Sequence, residues 1–300
     1  MKIAVIDLGT NTFHLLIVQV NEDGSFTEVC RDRRFIHLAE NGIETIGEAP
    51  YQRGLKTMNA FALQIMKYHV LKVSAKGTAA LRKASNGAAF IQQVKQQTGI
   101  RIETISGDEE ARLIYHGVRE SLEMTEAPIM IIDVGGGSVE FIIANQNRIF
   151  WAQSFPIGVA VLHHQFHQNE PIATQSIKAQ WTFLEKTLEP LTEALKQYPI
   201  SALIGASGTF DVLQHAMTIE KKSKFSTNVQ IGAFRPFYHE VIKANLEERL
   251  AMKRVPNHRA KLIVVALILV DFVLENYHIE QLIVSSFAMK EGMIQELKNA

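Results

Sequence analysis

Two short turns carry the residue types that hold phosphate. Asp7-Leu-Gly-Thr-Asn-Thr12 and Asp133-Val-Gly-Gly-Gly-Ser138 each end an apolar, strand-like run. Glycine lets a backbone approach a ligand closely, and successive N–H groups in such a turn make a concavity that attracts anions. The first turn offers Gly9, Thr10, Asn11 and Thr12; the second offers Gly135, Gly136, Gly137 and Ser138. An aspartate repels phosphate, so Asp7 and Asp133 make sense with a divalent cation, Mg²⁺ first among them, between carboxylate and phosphate. Either turn alone reads as an ordinary hairpin. Their settings match, however: Ile6–Ile17 aligns without gaps on Ile132–Ile143, an internal repeat of a strand–turn–strand unit. Two such units predict two similar halves facing one cleft.

Other residues between and after the turns fit the same chemistry. Glu109 and Glu110 open an amphipathic segment behind Ser106 and Asp108. Acids suit a helix N-terminus, which explains one of the pair. The other is a candidate general base for water. Glu140 lies seven residues after Asp133 and is a candidate cation ligand; the plainer alternative is a solvated strand position. Arg82, at an expected strand-to-helix step, has the chemistry to neutralise a transferred phosphoryl group; the alternative is a surface arginine, as is expected for Lys83. Ser207, Gly208 and Thr209, in Gly205-Ala-Ser-Gly-Thr209, fit either a phosphate contact or a plain helix entry. Basic residues cluster at 31–34 and again at Lys253, Arg254, His258, Arg259 and Lys261, and the second cluster is the better candidate for extending a polyanion track. His163 and His167 stand at helical spacing, but without a carboxylate in the pattern they read as a helix surface rather than a metal site.

The elements needed to position these residues are legible. Strands are expected at Ile3–Leu8, Phe13–Val20, Phe26–Arg31, Leu71–Ala75 and Arg101–Ile105, with helices at Tyr51–His69, Leu81–Gln97 and Asp108–Ser121. Glu120–Pro128 is a polar crossing. The second half predicts strands at Ile129–Val134, Val139–Ala144, Arg148–Gln153, Ala202–Gly205 and Gln281–Val284. Its helices are expected at Gly158–His167, Thr174–Gln197, Pro236–Leu250, His258–Glu275 and Phe287–Lys298. The chain has 300 residues, 47% of them hydrophobic, enough for two cores. Its 31 basic and 31 acidic residues balance, which argues against a nucleic-acid coat or a membrane-surface binder. One cysteine, Cys30, excludes a disulfide framework. With no signal-peptide pattern at the N-terminus, a reducing, cytoplasmic setting is expected. The apolar run Leu262–Val270, interrupted by Asp271, predicts a buried helix, being shorter than the about 20 residues a bilayer needs.

Taken in order, these motifs resemble a family. Both turns look like the phosphate motifs of the actin and sugar-kinase ATPase superfamily. Asp7–Ile17, Thr78–Arg82, Ile105–Tyr115, Ile131–Glu140, Ser154–Val159 and Gly205–Thr209 are together similar to the exopolyphosphatase / guanosine-pentaphosphate phosphohydrolase (Ppx/GppA) family. The resemblance covers nearly the whole chain and is to its short, two-domain members. It implies an α/β, actin-like ATPase superfamily fold of two ribonuclease-H-like domains flanking a cleft. Domain I would span residues 1–124 plus 286–300, with the last helix returning to it, and domain II residues 125–285. It further implies Glu110 as the base, with Glu109 assisting or only complementing the dipole, and Arg82 in the cleft. Asp133 and Glu140 become the acids linked to Mg²⁺ or another divalent cation, with Asp7 a weaker candidate.

The expected reaction is hydrolysis of the terminal phosphoanhydride of inorganic polyphosphate. The close alternative is the 5′-terminal phosphate of guanosine pentaphosphate. No nucleic-acid or membrane partner is expected, and a homodimer stays open. Two other classes compete: an actin-fold phosphotransferase, whose catalytic aspartate in a sugar pocket is not found, and a non-catalytic nucleotide sensor.

Overall fold

A computed structural model describes residues 1–40, 42–217, 219–221 and 223–299, residues 219–221 by their backbone alone. The chain divides into two compact units, Met1–Gly117 with Met289–Ala300, and Val118–Ala288.

Unit 1 begins with β1 (Lys2–Leu8), β2 (Thr12–Val20) and β3 (Phe26–Phe35). These form an antiparallel meander whose alternating side chains bury Ile6, Leu8, Phe13, Leu15 and Ile17 in one core. Then come α1 (Glu48–Lys67), β4 (Lys72–Gly77), α2 (Ala79–Lys83), α3 (Gly87–Thr98), β5 (Ile102–Thr104) and α4 (Gly107–Arg119). The sheet order is β3-β2-β1-β4-β5, with β1, β4 and β5 parallel. Three carboxyl ends therefore lie along one sheet edge, where open α/β sheets place their ligands.

Unit 2 repeats that plan with additions. It contains β6 (Ile129–Val134), β7 (Val139–Ala144), β8 (Ile149–Phe155), α5 (Val159–Phe166), α6 (Thr174–Thr187), α7 (Glu189–Gln197), β9 (Leu203–Ala206), α8 (Gly208–Ala216), β10 (Ile219–Lys221), β11 (Ser226–Val229), α9 (Ile231–Lys243), α10 (Leu246–Ala251), α11 (Ile263–Asn276) and β12 (Leu282–Ser285). The order β8-β7-β6-β9-β12 is the unit 1 order again, extended at one edge by β11 and β10. Every residue of β6 and β7 is buried. Helix α11 is apolar on all faces and buried from Ile263 to Leu274, as its sequence predicts. Its one acid within that stretch, Asp271, is held by Arg235 Nη1 at 2.7 Å. The chain returns to unit 1 with α12 (Met289–Asn299), which packs on β1 and β4. Among the described residues, no helix is long and apolar enough to cross a membrane.

Several elements differ from the sequence reading for visible reasons. The helix expected over 81–97 is two, α2 and α3. Asn86 exchanges side-chain bonds with the backbone of Ile46, 2.9 and 2.8 Å, and leaves the helical path. The helix expected over 174–197 breaks at Leu188, because Pro190 in the first turn of α7 cannot continue a hydrogen-bond ladder. The helix expected over 236–250 is α9 and α10, the second started by a reciprocal Asn245–Glu248 capping box. Residues 256–262 form turns rather than the first turns of α11. The β10–β11 hairpin was not anticipated.

Candidate active site

Unit 1 gathers its candidate residues at the carboxyl ends of β1, β4 and β5. After β1, Gly9 N–H donates to Thr12 O at 3.0 Å and closes the turn. A Cβ on Gly9 would lie 3.1 Å from that oxygen, so glycine keeps the turn tight. The segment after β3 braces the turn from behind: Ile36 and His37 N–H donate to Asn11 O, and Leu38 N–H to Thr10 O. Thr10 is buried, and its Oγ1 has no hydrogen-bond partner among the described residues, as a hydroxyl kept for a ligand would be. Asp7, half-buried, stands opposite His14 across the β1–β2 ladder.

After β4, Thr78 N–H donates to Leu8 O and turns the chain into α2, which ends with Arg82 and Lys83. After β5, Ser106 Oγ caps α4 by accepting from Glu109 N–H at 3.1 Å. Arg82 Nη1 donates to Ile105 O and lies 3.8 Å from Glu110 Oε2. The buried Glu110 carboxylate and the more exposed Arg82 guanidinium thus come together from separate helices, α4 and α2. Glu109 points elsewhere. Both its oxygens are gripped by Arg112, at 2.7 Å each, and that bond holds its carboxyl below the usual range. Lys83 is exposed.

Unit 2 builds the matching edge from β6, β9 and β12. Gly135 N–H donates to Ser138 O at 3.0 Å, the bond made by Gly9 in unit 1. A Cβ here would be tighter, 2.8 Å from Ser138 O. Val159 and Ala160 N–H donate to Gly135 O and Gly136 O, so the start of α5 backs this turn. Gly158 makes that approach possible, since a Cβ there would lie 2.4 Å from Gly136 backbone atoms. Asp133 faces Glu140 across the β6–β7 ladder, and both are buried. Glu140 is therefore not a solvated strand position. Its Oε1 accepts from Ser154 Oγ at 2.7 Å.

Two carboxylates at one buried register position favour a cation or a shared proton between them. Mg²⁺ is held by one or two carboxylates together with water and substrate oxygens, which this pair fits. A closed protein cage is not indicated: among the described residues no three His, Cys, Asp or Glu side chains are grouped to hold a metal.

At the end of β9, Ser207 has φ 68° and ψ −171°, a region nearly confined to glycine and a form of strain that gathers at functional turns. Its Oγ reaches Val134 O at 3.3 Å. Gly208 then opens α8, and the Arg259 guanidinium lies so close that a Cβ on Gly208 would be 1.6 Å from Nη2. Thr209 is buried beneath. The second basic cluster is thereby split: Arg259 reaches the β9–α8 turn, whereas Arg254 pairs with Glu240 and packs on Phe237. In the first cluster Arg31 pairs with Glu28 and Arg34 with Asp32. His163 and His167 are not a solvated surface either. Their rings are 5.0 Å apart, His167 is buried, and its Nε2 is 3.4 Å from Glu170 Oε1.

Sequence reasoning passed over His14 and the role of Gly158, and it named Arg259 only as one member of a basic cluster. His14 stands at the spacing from Asp7 that Glu140 has from Asp133, so the internal repeat already marked it. Arg259 lay within a basic run with nothing to separate it from its neighbours. Gly158 sat inside a quoted motif without a stated role.

The order 3-2-1-4-5 with one meander and two parallel additions, occurring twice in one chain, defines an actin-like ATPase fold of two ribonuclease-H-like units. Within that class the chain belongs to the Ppx/GppA phosphatase family, whose model matches residues 16–299. An exopolyphosphatase from Cytophaga hutchinsonii has a TM-score of 0.94 with it at 33% identity, over 100% of this chain and 98% of that one. A Ppx/GppA family member from Aquifex aeolicus has a TM-score of 0.82 at 26% identity, over 100% and 98%. The guanosine-5'-triphosphate,3'-diphosphate pyrophosphatase of Photobacterium profundum is 28% identical over 296 residues. That match takes in 98% of this chain and 59% of the relative, so the chain spans about three fifths of that relative's length.

Proposed function

We propose that the protein hydrolyses the terminal phosphoanhydride of inorganic polyphosphate and releases orthophosphate. The observation that carries this reading is the convergence of Glu110 and Arg82, 3.8 Å apart, at the carboxyl ends of the parallel strands of unit 1. In this reading Glu110 takes a proton from water as its oxygen attacks the terminal phosphorus in line. The bridging P–O bond breaks, and the shortened chain leaves with the bond's electron pair. Arg82 offsets charge on the equatorial oxygens. Gly9–Thr12 and Gly135–Ser138 hold phosphate oxygens through backbone N–H groups and hydroxyls, and Ser207–Thr209 with Arg259 provide a further phosphate contact. Asp133 and Glu140 would hold Mg²⁺, with Asp7 as a weaker ligand; when bound, the cation neutralises phosphate charge.

Likeness to the Cytophaga exopolyphosphatase over both full chains supports polyphosphate as substrate. The Photobacterium relative's name favours the second reading, removal of the 5′-terminal phosphate of guanosine pentaphosphate. A cytoplasmic site of action fits the single, unpaired Cys30. Phosphate release from polyphosphate, guanosine pentaphosphate and ATP, with and without Mg²⁺, tests the proposal. Fastest release from polyphosphate, dependent on Mg²⁺, is expected. Preference for guanosine pentaphosphate would select the second reading, and inertness on both would overturn hydrolysis.

A further inference from the structure

The side chains around Glu109 form an ionic bracket that reaches the last helix of the chain. Arg112 Nη2 lies 2.7 Å from Glu109 Oε1 and 2.6 Å from Glu296 Oε1. Lys76, buried on β4, places its ammonium 3.1 Å from Glu296 Oε2, 3.4 Å from Glu103 Oε2 and 3.9 Å from Glu109 Oε1. A Glu109–Arg112 pair on its own would be a helix-surface pair worth about 0.3–0.5 kcal/mol. Glu296 changes its character, because it joins α12 to both cations and so ties α4 to β4. The helices also meet backbone to side: a Cβ on Gly292 would lie 1.9 Å from Leu113 O. Helix α4 is thus fixed in depth by Gly292 and in rotation by Glu296.

We propose that Glu296 is a positioning residue: acting through Lys76 and Arg112, it sets the rotation of α4 and hence the direction of the Glu110 carboxylate. The inference rests on the reading of Glu110 as the base. Glu110 lies on the same helix as Arg112, so a turn of α4 about its axis that breaks the Arg112–Glu296 tie also shifts Glu110 relative to Arg82. Displacement of a reacting group by about 1 Å can cost about 100-fold in rate. Removing Glu296 also leaves Lys76 facing Glu103 and Glu109 alone, so only the 3.9 Å contact between Lys76 and Glu109 then remains of the bracket between α4 and its neighbours.

The test compares Glu296→Ala and Glu296→Gln with wild type in two measurements. Steady-state phosphate release from polyphosphate with Mg²⁺ should show kcat about tenfold lower for Glu296→Ala, with KM within about twofold. Glu296→Gln, which keeps an acceptor oxygen, should recover part of the loss. Amide hydrogen exchange should rise about tenfold over 107–112 in Glu296→Ala while α1 is unchanged. Unchanged exchange in α4, or a loss expressed only in KM, would overturn the positioning role. So would equal loss in both variants tracking a fall in Tm. Wild-type protein inert on polyphosphate and guanosine pentaphosphate would overturn the functional reading, and the catalytic meaning of the bracket with it; exchange would still report whether Glu296 holds α4.

Discussion

The hairpins β1–β2 and β6–β7 have the same backbone and different chemistry. Each closes through a 3.0 Å bond from a glycine N–H to the oxygen three residues on, and each sets an aspartate opposite the residue seven positions later. In unit 1 that residue is His14, in unit 2 it is Glu140. An aspartate facing a histidine can exchange a proton or form a neutralised pair. An aspartate facing a glutamate in a buried ladder asks for positive charge from elsewhere. The neighbouring strands continue the contrast. Unit 1 brings up Glu110 and Arg82, groups suited to moving a proton and meeting charge on phosphorus. Unit 2 brings up the strained Ser207 turn with Arg259 packed on it. One duplicated scaffold therefore presents two different edges, and the function lies in the side chains placed on it rather than in the fold.

Removing the proposed proton acceptor should give the largest effect. Glu110→Gln keeps the side chain's volume, and turnover of polyphosphate should fall by about 10²–10⁴-fold. Equilibrium binding of polyphosphate should be unchanged within about twofold. Wild-type-like phosphate release would remove Glu110 from the mechanism and leave unit 1 without its distinguishing chemistry.

The cross-strand partners come next. Glu140→Gln keeps the hydrogen bond with Ser154 available and removes one charge from the buried pair. Half-maximal activation should then require about 10–100-fold more Mg²⁺, by analogy with the effect of disturbed metal surroundings on affinity. His14→Gln at the equivalent place should leave the Mg²⁺ requirement within about twofold. Equal shifts from both substitutions in a Mg²⁺ titration of activity would erase the assignment of the cation to unit 2.

Equivalent glycines should respond unequally as well. A Cβ at Gly158 would meet the Gly136 backbone at 2.4 Å, at Gly135 it would meet Ser138 O at 2.8 Å, and at Gly9 it would meet Thr12 O at 3.1 Å. Alanine substitution should cost about 3 kcal/mol or more at Gly158, about 1–3 at Gly135 and under about 1 at Gly9. Chemical denaturation gives the order directly. Equal costs at Gly135 and Gly9 would mean that the two turns relax alike.

How much of this was legible in the sequence depended on whether the cause was local. The apolar runs of β1, β6, β7 and α11 are long or strongly patterned, so they read correctly. The hairpin repeat read correctly because glycine and aspartate recur in register. What failed depended on distant partners. Asn86 leaves the helix because Ile46, forty residues earlier in the chain, accepts from and donates to its amide. Glu109 and Glu110 could not be told apart by helix-dipole reasoning, since both suit a first turn. They are separated by Arg112 and Glu296 on one side and Arg82 on the other. Arg259 became distinct from its basic neighbours only when α11 brought its preceding turn to Gly208.

The smallest effect separates the units by acid sensitivity. Unit 2 places His163 against His167, with Lys261, Glu170 and Arg249 nearby, and burial first, then the charges of His167 and Lys261, push the His163 imidazole down to about 4. Burial pushes His167 down as well. Glu170 is held by Arg249, which offsets the upward effect of its own burial. A histidine whose folded pKa lies below its unfolded value of about 6.5 binds fewer protons in the folded state between the two values. Its contribution is therefore complete above about pH 6.5 and is lost as pH falls toward about 4. The loss should be about 1–2 kcal/mol, less than the full shift implies because the ring is partly exposed. Both tryptophans, Trp151 and Trp181, belong to unit 2, so their fluorescence follows unit 2 during urea unfolding. The unfolding midpoint should fall from pH 7 to pH 4.5 in the wild type and fall less in His163→Gln. An unchanged slope in that variant would show that the imidazole is not what makes unit 2 sensitive to acid, and the contrast between the units would then rest on Glu140 and Glu110 alone.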